Sequence, residues 1–190
     1  CVATVLLDHG LITMEEPVTN FFLEAPGGLV KVKAPCKNGK AERIFVQNLP
    51  SFVYKLDTSL ELEGYGSISA DTAFGGDSFV IVDAKKLGFS IDPSEAAELA
   101  RLGAKITDAA TEQIGFRHPK ITEWTHYSFC QFSRKQDQSN ECISFKSAVS
   151  VKPGKIDRSP TGTALSAKMA VLEARGEMKV GQKIKAISII

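Results

Sequence analysis

The sequence predicts a mixed α/β (α+β) fold that is sheet-rich and mostly antiparallel. Three observations carry this. Apolar stretches of strand length, separated by Pro26-Gly27-Gly28 and Asn38-Gly39 turn signals, fill residues 18–62. Helical apolar stride occurs in only three places, residues 1–9, 92–114 and 162–175. The segment after the last helix, Met178 to Ile184, resembles Leu11 to Val18 after the first, so the chain reads as an internal repeat.

Residues 1–9 read as the remainder of a buried helix closed by Gly10, with His9 set to meet its last carbonyls. Residues 18–23 and 29–32 are two strands, and Asn38-Gly39 suits a type I′ hairpin turn. Residues 43–46 return, Leu49-Pro50 breaks the run, and residues 52–62 alternate loosely as further strand. Residues 64–76 hold four glycines and no strong period, so the domain boundary is placed there: 1–70 as one domain, 71–190 as the second. The pair Gly75-Gly76 then turns into a buried strand at residues 79–82. Asp92-Pro93-Ser94-Glu95 opens a helix with proline in its first turn. Residues 124–132 alternate as a half-buried strand, the polar run 133–140 reads as a solvated loop, and residues 142–151 form the next strand. His118 and His126 read as hydrogen-bonded structural residues.

The most informative stretch is Asp157-Arg158-Ser159-Pro160-Thr161-Gly162-Thr163-Ala164. Ser159-Pro160 fixes the approach to a helix over 162–175, and Gly176 ends it. Met169, Ala170, Val171 and Leu172 supply its apolar stripe, with Lys168, Glu173 and Arg175 expected to face out. Gly162 lets a ligand approach the backbone, and free N–H groups of Thr161, Gly162 and Thr163 would cradle a carboxylate or phosphate. The plainer alternative is a capped helix with no ligand.

Composition excludes more than it assigns. A hydrophobic fraction of 43% supports a proper core, and a net charge of +1 gives no reason to expect nucleic acid or an anionic membrane. No apolar run reaches the roughly 18 residues of a membrane helix, and no signal peptide opens the chain. Cys1, Cys36, Cys130 and Cys142 lack metal-ligand spacing and read as reduced thiols of a cytoplasmic protein. The chain starts in mid-stride without an initiator methionine, so it is expected to be a piece of a longer protein.

The Asp157–Ala164 stretch resembles the second catalytic motif of the proline racemase family, Asp-Arg-Ser-Pro-Cys-Gly-Thr-Gly-Thr, with Thr161 in the cysteine position. Residues 74–84, residues 1–10 and Glu24-Ala25-Pro26-Gly27-Gly28 agree with the same family in the right order. The resemblance implies a diaminopimelate epimerase-like fold, two pseudo-symmetric lobes each curling a mostly antiparallel sheet around a central helix. It implies no cofactor, a small imino-acid substrate (proline or hydroxyproline), and a homodimer as the oligomeric expectation. It places Thr161 as the catalytic residue, Gly162 and Thr163 on the substrate carboxylate, Asp157 on the ring amine, and Gly75 and Gly76 beside the site. The first catalytic residue is expected upstream of Cys1, so these 190 residues alone should be inactive. Threonine at this position points to dehydration of trans-3-hydroxy-L-proline. The alternatives are hydroxyproline 2-epimerase, proline racemase, and a non-catalytic imino-acid-binding homologue.

Overall fold

The computed structural model describes residues 1–138 and 142–190, which divide into two compact units, Cys1–Leu49 and Pro50–Ile190. The expected boundary at 70/71 falls inside a strand, and the division lies at Leu49/Pro50.

In the first unit a short helix, α1 (Val2–Asp8), precedes four strands, β1 (Val18–Ala25), β2 (Gly28–Lys37), β3 (Lys40–Ala41) and β4 (Phe45–Gln47). β2 pairs antiparallel with β1, β3 and β4. The turn between β2 and β3 has Asn38 and Gly39 both at positive φ, 54° and 70°, as a type I′ turn requires. Leu7 joins Ala34 and Cys36 in a small core flanked by Phe21 and Ile44. α1 is less buried than its apolar sequence led one to expect: Ala3 and Leu7 are covered, while Val2 is 64% and Val5 50% exposed.

The second unit is one curled sheet of β5 (Phe52–Leu62), β6 (Gly66–Phe74), β7 (Ser78–Asp83), β8 (Phe129–Gln138), β9 (Cys142–Val151), β10 (Lys155–Ile156) and β11 (Lys183–Ser188). Its order is β10-β9-β8-β7-β6-β5, with β11 also on β9; among the described residues only the β7–β8 and β9–β11 pairs are parallel. A 3-10 turn (Pro93–Glu95), with Asp92 and Glu95 forming a capping box, leads into α2 (Ala96–Gln113). A third helix, α3, spans Gly162–Ala174.

The sheet is a middle layer. Val80, Val82, Cys130 and Phe132 pack with Leu99, Leu102 and Ile106 of α2. The alternate residues Phe79, Ile81 and Val149 pack with Ala164, Ala167 and Val171 of α3. Burial on both faces explains the unbroken apolar run of β7.

Several expectations need correction. Residues 64–76 are mostly strand: β6 pairs with β5 from Gly66↔Leu62 to Phe74↔Phe52, and its small residues conceal the period. Residues 124–128 are not strand. Side-chain bonds hold them, Trp124 Nε1 donating to Ser78 Oγ at 3.0 Å and Tyr127 Oη to the Gly115 carbonyl at 3.0 Å. The polar run from Ser133 to Gln138 belongs to β8, paired with β9 through a register irregularity; residues 139 and 140 of the expected loop lie outside the described residues. All four cysteines are free, with Cys36 and Cys130 buried.

The repeat is visible at the helix ends. With Gly10 laid on Gly176, α1 and α3 end at equivalent residues, and the two glycines have φ of 68° and 69°. Leu11 N donates to Leu6 O at 2.9 Å, and Glu177 N to Leu172 O at 2.8 Å. These are the same C-terminal cap written twice.

Candidate active site

α3 buries Ala164, Ala167, Val171 and Leu172 against the sheet, while Met169, expected in its apolar stripe, is exposed with Glu173 and Ala174. The sheet approaches its buried side at close range because of one glycine. A Cβ on Gly75 would stand 2.2 Å from the Thr163 carbonyl oxygen and 2.4 Å from the Ala167 nitrogen. Gly75 is buried, and the first turn of α3 rests on it. Gly75 therefore has a packing role whether or not it meets a ligand. Gly76, at φ 98°, makes the turn into β7.

The approach to the helix is held by the carboxylate of Asp157. Its Oδ1 accepts the Ser159 amide at 2.9 Å, and its Oδ2 accepts the Thr161 hydroxyl at 2.5 Å. Partial burial pushes the Asp157 carboxyl up, but the hydrogen bonds from Thr161 and Ser159 outweigh it and hold the group below its usual value. Ser188 Oγ donates to the Arg158 carbonyl at 2.8 Å, tying the loop to β11.

Thr161 is the N-cap of α3 at φ 59°, ψ 101°, a strained conformation for a β-branched residue. Its amide donates to Ser159 Oγ at 3.1 Å, so it does not join the free donors expected at the helix tip. Among the described residues no side chain caps α3. The first ladder bond is Leu165 N to Thr161 O at 3.0 Å, which leaves the amides of Gly162, Thr163 and Ala164 ahead of the ladder. Gly162 is exposed, and a Cβ there would meet nothing within 4 Å. The tip thus combines amide donors, a hydroxyl and a hydrogen-bonded carboxylate, and its motif contains no thiol. That arrangement can seat a carboxylate and stabilise charge developing on it.

Asp77 escaped the sequence reading. It lies two residues beyond Gly75, whose amide donates to its carbonyl at 2.9 Å. Burial raises its carboxyl, against the opposing effects of Ser128, the Ser78 amide and His126. An acid directly after Gly75-Gly76 at the start of a buried strand was the available signal. His118 is structural, as expected: Nδ1 accepts the amides of Lys120 at 3.1 Å and Ile121 at 3.0 Å, and its ring edge meets Phe74. Among the described residues no three His, Cys, Asp or Glu side chains form a metal-holding group, and no helix is long and apolar enough to cross a membrane.

A family model described as proline racemase matches residues 1–190. The chain is similar to a solved structure of a probable proline racemase from Agrobacterium radiobacter K84 with bound carbonate. The two are 33% identical with a TM-score of 0.90, over 100% of this chain and 55% of that one. It is also similar to a hydroxyproline epimerase from Agrobacterium vitis with bound trans-4-hydroxy-L-proline. Here identity is 35% and the TM-score 0.89, over 100% of this chain and 53% of that one. The chain therefore spans about half the length of the solved structures it matches.

Proposed function

The chain belongs to the proline racemase family, and on that premise we propose that it carries one half of an active site working at the α carbon of a proline derivative. The reaction is dehydration of trans-3-hydroxy-L-proline. Gly162 and Thr163 amides hold the substrate carboxylate and stabilise the charge that grows on it as the α proton leaves. Asp157 accepts a hydrogen bond from the ring amine while keeping Thr161 in place. A base contributed by polypeptide outside these 190 residues takes the α proton. The C3–O bond then breaks, and the same upstream residue, which faces both the α proton and the 3-hydroxyl, returns its proton so that the hydroxyl departs as water, while Thr161 closes the opposite face. The enamine tautomerises to the cyclic ketimine.

One observation carries this reading: the hydroxyl at the helix tip is bonded to a carboxylate at 2.5 Å where a thiol would be needed for a second proton relay. A hydroxyl is a far weaker base than a thiol, which titrates near ~8.5 when free. The face served by Thr161 is therefore not suited to taking a proton from carbon, which favours a reaction that needs a base on the other face only.

Hydroxyproline 2-epimerisation stands second, favoured by the similarity to the epimerase that binds trans-4-hydroxy-L-proline. Incubating the native protein with the 3-hydroxy and 4-hydroxy substrates in deuterated water separates the two. Ketimine, captured by borohydride as proline, is expected from trans-3-hydroxy-L-proline. An α-deuterated 2-epimer without ketimine would replace the dehydratase reading with the epimerase one. Tight binding of pyrrole-2-carboxylate with turnover of neither substrate would point to the non-catalytic homologue.

A further inference from the structure

Along the C-terminal half of α3, within the second unit, lies a cavity of about 270 Å³ lined by both apolar and charged side chains. Most of its charges are already engaged. Arg175 bridges Asp57 and Asp71 at 2.7 Å each, Lys135 stands 3.7 Å from Glu177, and Asp83 accepts the Lys85 amide at 2.9 Å. Lys168 is different. The expectation that it faces outward fails: its ammonium lies over the Phe145 ring, 5.3 Å from the centroid. Among the described residues it makes no hydrogen bond and no ion pair.

A second group in the same wall is also unpartnered. Ser133 of β8 is only 5% exposed, lines the cavity, and its Oγ has no hydrogen-bond partner among the described residues. A desolvated ammonium and a buried hydroxyl are retained in folded proteins when something supplies them with oxygens. Burial lowers the Lys168 amine from its ordinary value, with Asp71, Glu177 and Asp83 pulling the other way and Arg175 adding to the lowering. The nearby acids therefore do not compensate it fully.

We propose that this cavity is a binding site, separate from the α3 tip, for a short-chain carboxylate anion. Its oxygens take the Lys168 ammonium and the Ser133 hydroxyl, and its tail lies against Phe145 and Leu172. A single negative charge fits better than two. Lys86, Lys135, Lys168 and Arg175 are already balanced in number by Asp57, Asp71, Asp83 and Glu177, so a monoanion leaves one excess negative charge and a dianion leaves two.

The test is calorimetric titration of the native protein with sodium butyrate, ionic strength held constant with chloride. Millimolar binding is expected, weakened at least about tenfold in Lys168→Met and about three- to tenfold in Ser133→Ala. Thr161→Val should leave it unchanged. Should Lys168→Met fail to fold, Ser133→Ala decides alone, since it removes only a hydroxyl. No saturable binding by the native protein up to about 10 mM, equal affinity in native protein and every folded variant, or loss in Thr161→Val would overturn the proposal.

Discussion

At the scale of single residues, the chemistry rests on Thr161 and the groups that hold it. Thr161→Val keeps the shape and removes the hydroxyl that Asp157 holds. It is expected to raise KM for dehydration about three- to tenfold with a smaller change in kcat, as steady-state kinetics would read. Thr161→Cys places a thiol at a helix N-terminus, where its pKa falls. That variant is expected to gain α-proton exchange into solvent deuterium, followed by NMR. Gly162→Ala separates site from scaffold. The open space around Gly162 predicts a stability change within about 0.5 kcal/mol, while a methyl group among the amide donors raises KM severalfold. Asp157 offers a pH test with a definite sign. Its folded-state value is depressed, so its contribution is present above the ordinary carboxylate value and is lost as pH falls through the depressed one. Carboxyl NMR should find its midpoint lower in the native protein than in Thr161→Val, whose missing hydroxyl no longer favours the ionised form. Equal midpoints would remove Thr161 as the cause.

At the scale of elements, α3 is aimed by what lies beneath its first turn and by how its last turn closes. Gly75→Ala pushes a methyl into the helix backbone at 2.2 Å from the Thr163 oxygen. Backbone cannot rotate away as a side chain can, so a loss of about 1–3 kcal/mol is expected in denaturant unfolding. A Gly75→Ala protein as stable as the native one would mean that the helix does not rest where it is placed. The helix and its motif were legible in advance because Ser159-Pro160 and Gly176 mark its ends with strong local signals. Four things were not. The inward turn of Lys168 depends on Phe145, far along the chain, and the capture of the Thr161 amide by Ser159 Oγ, though local, depends on the conformation the loop takes. Residues 124–128 alternate like a strand, yet bonds from Trp124 and Tyr127 to Ser78 and Gly115 hold them out of the ladder. The small residues of β6 hid a strand for the opposite reason, since Ser, Ala and Thr give little contrast between faces.

At the scale of the whole chain, the sheet-between-helices arrangement of the second unit buries Tyr127, whose phenol is pushed up to about 12 by burial. A raised folded-state value means that this group favours folding fully below its ordinary value of about 10, and that the contribution is lost as pH rises through about 12. Tyr127→Phe is therefore expected to be less stable than the native protein at neutral pH, by about 1 kcal/mol for the lost bond to Gly115, and to lose less stability between those two pH values. Parallel pH curves would assign the alkaline loss elsewhere. The repeated caps at Gly10 and Gly176 close α1 and α3 by the same local hydrogen bonds. The most direct test of the central claim is a ¹⁵N NMR titration of the native protein with pyrrole-2-carboxylate, following the amides of Gly162 and Thr163. Both should move to saturation together, with smaller changes in Thr161, whose amide is already bonded to Ser159. Unchanged Gly162 and Thr163 resonances, in a protein that binds the ligand, would show that α3 does not hold the substrate carboxylate.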